Sequence, residues 1–293
     1  MTMDLATESD NSNVEFRIVD SHIHVWSSNV LEYPFGPHDG LAVPVQEASI
    51  DDYFAIPSAS DRDVVLIQPR VYGFDHAYLY ECVEAFDLRV RVLPSLGVAR
   101  RGAVGELRRL AAHPLTAGFR VVALGKDPAS WLCGPRAHQV WDAAAQLAMP
   151  VGLLVDVEQL RMVDQIASDH PDLVMIIDHL GRCHSGQQSE FGPALIELAR
   201  RSNVYVKLSA IHTLSVEKFP FRDMWSMVRM LFEEFGPSRL MWGSDWPHLG
   251  DIIAYDQCHI PIREALTEAS ELDLHKIFNH TATRLFGFHS RYQ

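Results

Sequence analysis

Short apolar, β-branched segments alternate with longer segments of helical period along most of this chain of 293 residues. Such alternation is typical of βα units that build a parallel sheet. Eight units are the number that closes a barrel. The sequence therefore predicts an α/β fold, a single (β/α)8 TIM barrel, with strands at 16–20, 63–68, 90–96, 117–122, 151–155, 173–178, 204–209 and 239–243.

Helices are predicted between several of these strands, and two of them stop just before a proline, Pro150 or Pro171. Residues 260–285 predict two further helices that close the barrel, with Asn279 helping to tie this segment to the body. The helices predicted between the strands are 136–148, 157–170, 193–201 and 221–235.

Nothing in the sequence divides the barrel into smaller domains, since it contains neither an internal repeat nor a low-complexity linker. Residues 16–293 are therefore predicted as one domain with C-terminal closing helices. Residues 1–15 are polar and acidic and are predicted as a disordered N-terminal tail, without the features of a signal peptide. The segment 27–57 is long for a βα connection, and such loops usually carry function or small secondary elements.

The charge balance limits the partners of the chain. A net charge of −13 disfavours nucleic acids and anionic membranes, which require clustered Lys and Arg. A small anionic substrate stays compatible with this net charge, because a few arginines in a pocket make the pocket positive even when the whole protein is negative. The four cysteines form no Cys-x-x-Cys pair, and no segment has the length of a membrane span. We expect a cytoplasmic protein that binds a small molecule, and homo-oligomerisation is compatible with this.

Polar residues recur at the predicted carboxyl ends of the strands, where a parallel barrel places its active site. His22 and His24 are two residues apart, so an extended strand points both side chains to one face. Core packing alone does not explain apolar segments that repeatedly end in ionisable residues. The other strand-end residues are Gln68, Arg120, Asp178, His179, Lys207, Ser209 and Asp245.

Each of these residues also has a purely structural interpretation. With 15 histidines in the chain, roughly one His-x-His is expected by chance. A single histidine such as His179 is often structural, and Asp245 before Trp-Pro is compatible with a turn cap. His248 is interpreted either as a substrate contact or as a turn residue that braces Asp245. The combination of two histidines on strand one, one on strand six and an aspartate on strand eight favours a catalytic site.

Three motifs resemble the signatures of the amidohydrolase superfamily, and specifically of its lactonase branch, whose members act on pyrone dicarboxylate, sulfomuconolactone and fuconolactone. The similarity extends from residue 16 to about residue 287. It implies a barrel enzyme that hydrolyses the ring ester of a lactone. The motifs are His22-x-His24, Asp178-His179-Leu-Gly-Arg182 and Gly-Ser-Asp245-Trp-Pro-His248.

The chain departs from the binuclear members of that superfamily. They carry a lysine at the end of strand four and a histidine at the end of strand five, whereas strand four here ends in Arg120 and strand five has no histidine. A binuclear centre is therefore not expected. At most one divalent ion such as Zn²⁺ would bind His22, His24 and Asp245, with His179 as a further ligand. Since the resembled branch includes members that work without metal, no cofactor is predicted to be required.

Hydrolysis of a lactone requires a base for the attacking water and donors for the developing oxyanion. Asp245 is the candidate base, and His22, His24 and His179 are candidates to polarise the carbonyl. Arg120 and Arg182 are candidate clamps for a substrate carboxylate, because guanidinium and carboxylate match in bidentate fashion, although both can also pair with barrel carboxylates. Further candidate substrate contacts are Gln68, Lys207, Ser209 and His248.

Three other functions stay compatible with the sequence. The first is a single-metal-dependent decarboxylase of the same superfamily, and the second is a cyclic amide hydrolase. The third is an inactive barrel kept as a scaffold, which the four ionisable groups at the mouth disfavour. The hydrolysis of a carboxylated or sugar-derived lactone is the favoured prediction, and the identity of that lactone stays open.

Overall fold

Parallel strands form two sheets in the computed structural model of this chain, which describes residues 17–36, 44, 46–86, 89–124 and 129–288. The predicted tail at residues 1–15 lies outside the described residues. The sheets have the orders β1-β2-β3 and β4-β5-β6-β7-β8. The strands are β1 Val19–Ile23, β2 Asp63–Ile67, β3 Val90–Leu93, β4 Phe119–Ala123, β5 Val151–Val155, β6 Met175–Ile177, β7 Val204–Leu208 and β8 Leu240–Trp242.

Backbone hydrogen bonds join the two sheets between β3 and β4. The amide of Arg120 donates to the carbonyl of Pro94 at 2.8 Å, and the amide of Leu96 donates to the carbonyl of Arg120 at 2.9 Å. These bonds lie just beyond the end of β3, so the chain after that strand continues the parallel pairing. The two sheets of a closed barrel must meet at two junctions, and these bonds close the first of them.

The second junction lies between β8 and β1. The amide of Asp245 donates to the carbonyl of His22 at 2.9 Å, and the amide of His24 donates to the carbonyl of Trp246 at 2.7 Å. Gly243 permits this close approach, because a Cβ there would lie 2.7 Å from the Cβ of His22. The eight strands therefore close into the predicted barrel, and the residues that close it belong to the predicted catalytic motifs.

Helices follow the strands and pack apolar faces against them, as Leu160, Val163 and Ile166 do at helical spacing. In the described parts of the chain, none of these helices combines the length and apolarity needed to cross a lipid bilayer. The helices are α1 Ile50–Ala55, α2 Ala77–Glu81, α3 Ala103–Ala111, α4 Ala129–Leu132, α5 Pro135–Gln146, α6 Leu160–Asp169, α7 Gln188–Ala199, α8 Ile211–Leu214, α9 Trp225–Phe235, α10 Ile260–Ala265, α11 Glu271–His275 and α12 Thr281–Phe286.

Several elements begin a few residues from their predicted starts, and two of them show the reason. The first strand spans Val19–Ile23 instead of 16–20, because its polar residues are buried inside the strand and do not mark its end. Helix α7 begins at Gln188, and Pro193, which was predicted to start it, lies within the helix. Both differences arise because polar residues and proline indicate element ends only on average.

The C-terminal helices close the barrel on the side of β8 and β1. Helices α11 and α12 are joined by the π-helical turn Lys276–His280. Within that turn the side-chain amide of Asn279 donates to the backbone carbonyl of Arg17 at 2.6 Å. This contact ties the C-terminal segment to the residues before β1, in the way the sequence indicated for Asn279.

The long segment after β1 contains a short helix. Helix α1 begins after Ser49, whose hydroxyl accepts from the amide of Asp52 at 3.1 Å, while the Asp52 carboxylate accepts from the amide of Ser49 at 2.9 Å. These two bonds form a capping box, which satisfies amides at the first turn of a helix. The expectation of a small secondary element in 27–57 is met at its C-terminal end.

Side chains that point into the barrel form an apolar lower layer and a polar upper layer. Along β7, Tyr205 points into the barrel and belongs to the lower layer. Lys207, the next residue of this strand that points inward, is fully buried and belongs to the upper layer. Aromatic side chains from the C-terminal segment, Phe286 and Phe288, belong to the same lower cluster. A closed lower layer leaves the upper layer open only toward the carboxyl ends of the strands, where a TIM barrel has its active site.

Gly118 offers a test of the packing at the start of β4. A Cβ at this position would lie 2.6 Å from the carbonyl oxygen of Pro150, which accepts the amide of Phe119 at 3.0 Å. Gly118→Ala should therefore push β4 away from β5 and lower the free energy of unfolding by about 1–3 kcal/mol. Thermal and urea denaturation measure this change.

The matched control is Gly105→Ala, on the exposed side of α3, where the nearest atom to a new Cβ is 3.9 Å away. There alanine should stabilise the helix by about 0.5–1 kcal/mol. Equal effects of the two substitutions would contradict the packing assigned to Gly118.

Candidate active site

Strand β1 presents neighbouring polar residues to different surroundings. The register of β1 against β2 shifts between Asp20 and Ile23. As a result Asp20 contacts the hydroxyl groups of tyrosines in the helical layer, whereas His22 lies inside the barrel with its Nε2 3.2 Å from the Nε2 of His24. Without the irregularity, two residues separated by one would share a face. Such bulges are common next to active sites, where they re-aim a side chain.

Asp245 completes the cluster from the end of β8. It has a left-handed φ of 64°, a conformation that Asp tolerates better than most residues. Its Oδ1 lies 3.6 Å from Nε2 of His22, 3.6 Å from Nε2 of His24 and 3.9 Å from Nε2 of His179. The structure thus brings all four predicted catalytic side chains to one point at the barrel mouth.

His179 reaches this point from a tight turn after β6. His179 has a φ of 53°, and Leu180, Gly181 and Arg182 also have positive φ. A run of such residues is costly for non-glycine side chains and occurs mainly at functional sites. The Nδ1 of His179 forms a hydrogen bond with the hydroxyl of Ser209 at 2.9 Å, which directs Nε2 toward Asp245.

Three charged side chains lie behind the histidines. The carboxylate of Asp178 is 3.4 Å from Nζ of Lys207 and 3.5 Å from Nε of Arg120. Lys207 also lies 3.2 Å from Nδ1 of His22. All three charged groups are almost completely buried. Such groups depend on one another, because an unpaired charge in a barrel interior is strongly unfavourable.

Burial sets the protonation of the cluster. It lowers the pKa of His22 to about 3, with a further contribution from Lys207, and it lowers the pKa values of His24 and His179 well below 6.5. The three imidazoles are therefore neutral near pH 7. Burial has the opposite effect on a carboxyl group and raises the pKa of Asp245 to about 8. A base of this kind is matched to proton transfer near neutral pH.

Asp178 titrates in the opposite direction from Asp245. Burial alone would raise its pKa, but Lys207, then His22 and Arg120 outweigh burial and hold it well below 3.8. The barrel mouth thus contains two buried carboxyl groups with different protonation. Asp178 stays ionised and balances cations, whereas Asp245 is poised to exchange a proton.

The remaining predicted residues lie around this cluster. The side-chain amide of Gln68 donates to the carbonyl of Asp75 at 2.5 Å. Arg182 pairs through Nε with Asp156 at 2.7 Å. The ring of His248 is exposed and lies 5.3 Å from the ring of His24. The substrate contacts predicted for these residues, and for Arg120, Lys207 and Ser209, stay predictions.

The spacing of three donor atoms in the cluster matches the ligand spacing around one metal ion. Nε2 of His22, Nε2 of His24 and Oδ1 of Asp245 lie 3.2–3.6 Å from one another. Ligand atoms around a tetrahedral zinc ion are about 3.4 Å apart, since each bond is about 2.0–2.1 Å long. Oδ1 of Asp245 is buried and has no hydrogen-bond partner among the described residues. These three side chains are the ones that would hold a single Zn²⁺.

A cavity of about 360 Å³ adjoins the barrel mouth and was not predicted. It lies among the segments that follow β2, β3 and β4, and Arg120 borders it. Two further arginines, Arg70 and Arg100, line it together with Phe74 and Trp131. A signal for both was present in the sequence, because each arginine follows a predicted strand by a few residues.

Comparison with known proteins places the chain in a class. The sequence profile of the amidohydrolase family matches residues 19–288, so the chain belongs to the amidohydrolase family. L-fucono-1,5-lactonase of Burkholderia ambifaria is 27% identical over 83% of this chain and 88% of the relative. The 4-sulfomuconolactone hydrolase of Rhizobium radiobacter is 27% identical over 92% of this chain and 89% of the relative.

Solved structures show the same fold. A protein of Acinetobacter baumannii, designated a probable 2-pyrone-4,6-dicarboxylic acid hydrolase and solved with citric acid, has a TM-score of 0.80 at 21% identity, over 93% of this chain and 100% of that one. An amidohydrolase of Burkholderia multivorans, solved with bound zinc, has a TM-score of 0.74 at 23% identity, over 93% and 99%. Both similarities support the closed TIM barrel.

The two carboxyl groups should affect stability in opposite directions. The pKa of Asp245 is about 8 in the folded chain and near 3.8 when unfolded, so its ionisation destabilises the fold as pH rises through that range. Asp245→Asn should therefore raise the free energy of unfolding at pH 7, by about 1–3 kcal/mol. Thermal denaturation at pH 5 and pH 7 measures this gain, which should be larger at pH 7.

Asp178→Asn is the matched substitution at the other buried carboxyl group. It leaves Lys207 and Arg120 without their counterion and should cost about 3–5 kcal/mol. A loss of stability in both variants, or in neither, would show that the two environments had been assigned incorrectly.

Proposed function

We propose that this chain hydrolyses a lactone, with Asp245 as the general base. One observation carries the proposal: a buried carboxyl group with a raised pKa lies within 3.9 Å of three neutral imidazoles at the mouth of the barrel. Such a group accepts a proton from water near neutral pH, and the nitrogens around it can orient water and carbonyl. The named activities of both curated relatives support the same class of reaction.

The reaction begins with a water molecule beside Asp245. The carboxylate takes one proton as the water oxygen adds to the lactone carbonyl, which forms a tetrahedral intermediate with a negative oxygen. Collapse of this intermediate breaks the ring C–O bond. The proton on Asp245 then passes to the leaving oxygen, so that the product carries one new hydroxyl group and one carboxylic acid, which releases its remaining proton to the solvent and becomes a carboxylate. Asp245 thus acts first as base and then as acid.

The histidines divide into donors and an acceptor. Nδ1 of His24 lies 2.8 Å from the carbonyl oxygen of Ile67, which can only accept, so this nitrogen carries the ring proton. The neutral ring therefore presents an unprotonated Nε2, and His24 can accept a hydrogen bond from the attacking water. His22 and His179 are the residues we assign as donors to the oxyanion. In this respect the sequence prediction, which gave His24 the same donor role, is revised.

We further propose that no metal ion is required. A zinc ion bound by His22, His24 and Asp245 would supply Lewis acidity and lower the pKa of a bound water. The same three side chains already form a general base, a water acceptor and a carbonyl donor. Removal of metal should therefore leave the reaction in place, which distinguishes this chemistry from a single-metal-dependent decarboxylase.

The substrate is proposed to carry a carboxylate or a similar anionic group. The cavity beside Arg120 is lined by Arg70 and Arg100, although the chain as a whole has a net charge of −13. Guanidinium groups concentrated in one pocket favour an anion there in spite of the global sign. Phe74 and Trp131 provide apolar surface in the same cavity. Arg182 stays a second candidate clamp, in competition with its ion pair to Asp156.

Several expectations from the sequence stay predictions. They are the cytoplasmic location, the single domain over 16–293, the absence of nucleic-acid and membrane partners, and association into homo-oligomers. The proposed function requires none of them, because the cluster that carries it is built from one chain.

A panel of carboxylated and sugar-derived lactones, followed with a pH indicator, tests the reaction class. The chelator-treated wild type should open at least one member, and Asp245→Asn should lower kcat by about 100-fold or more, because removal of a general base typically has that effect. Metal content is measured on the same samples. A wild type that is inactive on all lactones, or an Asn variant within a few-fold of wild type, would contradict the proposal.

The pH dependence follows from the pKa of Asp245. Only the ionised carboxylate can act as base, so kcat/KM should rise about tenfold per pH unit below a pKa near 8 and reach a plateau above it. The histidines should add no ascending limb between pH 6.5 and 8, because burial holds the pKa values of all three well below 6.5. A profile that is flat from pH 6 to 9 would argue against Asp245 as the base.

A further inference from the structure

We infer that Lys207 is a positioning residue that holds the ring proton of His22 on Nε2, and that it thereby selects against a metal ion at His22, His24 and Asp245. The inference deepens the proposed metal-free chemistry and rests on that proposal for its catalytic meaning. Its tests, however, measure a ring proton and bound zinc, so they can fail independently of lactone hydrolysis.

The first contact that defines the tautomer lies between His22 in β1 and His24 just after this strand. The carbonyl of Ile67 holds the ring proton of His24 on Nδ1, so Nε2 of His24 is an acceptor. Nε2 of His22 lies 3.2 Å from this acceptor. Two unprotonated nitrogens at this distance would repel each other. The contact is attractive only when Nε2 of His22 carries the proton and donates it.

The second contact lies on the opposite side of the His22 ring. Nζ of Lys207 is 3.2 Å from Nδ1 of His22, and an ammonium group has donors only. Nδ1 must therefore be unprotonated to accept this bond. The carboxylate of Asp178, which would accept a proton from Nδ1, is more distant at 3.5 Å. Two independent contacts thus assign the same tautomer to His22.

This tautomer conflicts with metal binding. An ion among the three donor atoms requires a lone pair on Nε2 of His22, so the ring proton would have to move to Nδ1. There it would face Nζ of Lys207 at 3.2 Å, donor against donor. The hydrogen bond to His24 would be lost as well. Lys207 in addition places a positive charge directly behind a ligand of the cation.

The same arrangement serves the proposed reaction. The proton on Nε2 of His22, which bonds His24 in the free site, would turn to the lactone carbonyl when substrate and water enter beside Asp245, whose Oδ1 is 3.6 Å from this nitrogen, and Nε2 of His24 would then accept from the water. Lys207 itself is fully buried on the far side of the ring and reaches the reacting atoms only through His22. It therefore acts by fixing a neighbour, as hydrogen-bond partners of catalytic histidines commonly do.

Zinc binding tests the selection against metal. Calorimetric titration of chelator-treated protein with zinc chloride should show weak binding for wild type and at least tenfold tighter binding for Lys207→Met. Lys218→Met is the matched control, since it removes the same charge from an exposed lysine and should bind zinc like wild type. Equal affinity in wild type and Lys207→Met would overturn the inference, as would tight stoichiometric binding by wild type.

A measurement on the wild type keeps the inference testable if Lys207→Met does not fold. Two-bond ¹H–¹⁵N correlation spectra of histidine-labelled, metal-free protein report the protonated nitrogen of each ring, and comparison with His22→Gln identifies the signals of His22. We expect a protonated Nε2 and an unprotonated Nδ1. The opposite tautomer, or a doubly protonated ring, would overturn the inference.

Discussion

The interior of this barrel depends on the pairing of one buried carboxylate with two buried cations. Asp178 lies within 3.5 Å of both Lys207 and Arg120, and none of the three side chains has useful access to water. Charges in such surroundings are tolerated only when they compensate one another. The catalytic cluster is built directly on this layer, because Lys207 supports His22. The charged residues that stabilise the barrel interior therefore also position the catalytic histidine.

Strand β1 connects this interior with the outer layer of the barrel. The shift in its register turns His22 inward, while Asp20 stays among the tyrosines outside and accepts the amide of Ser244 at 2.8 Å. Ser244 immediately precedes Asp245, so Asp20 helps to hold the turn in which the base has its left-handed φ. Strand β1 and the residue that follows it thus supply two histidines to the cluster, and Asp20 in the same strand braces the carboxylate that they face. The irregular geometry of this strand is what makes both contacts possible.

Much of the architecture could be predicted from the sequence. The alternation of strand and helix periods located all eight strands, and the polar residues at their ends indicated His22, His24, His179 and Asp245. The prediction was less complete where the role of a residue depends on a partner that is distant in the sequence. Asp178 was noticed at a strand end without a role, because the cations it balances come from other strands. The arginines of the adjoining cavity were missed for a similar reason, since the loops that carry them meet only in three dimensions.

The sequence by itself determined which residues stand at the carboxyl ends of the strands, because side-chain periodicity and the end of each apolar segment are local properties. Only the tertiary structure determined the protonation states and tautomers of those residues. The raised pKa of Asp245 comes from burial, which no local pattern records. The ring proton of His22 is placed by Lys207, 185 residues further along the chain. Protonation depends on distances of a few ångströms, and those exist only after the barrel has closed.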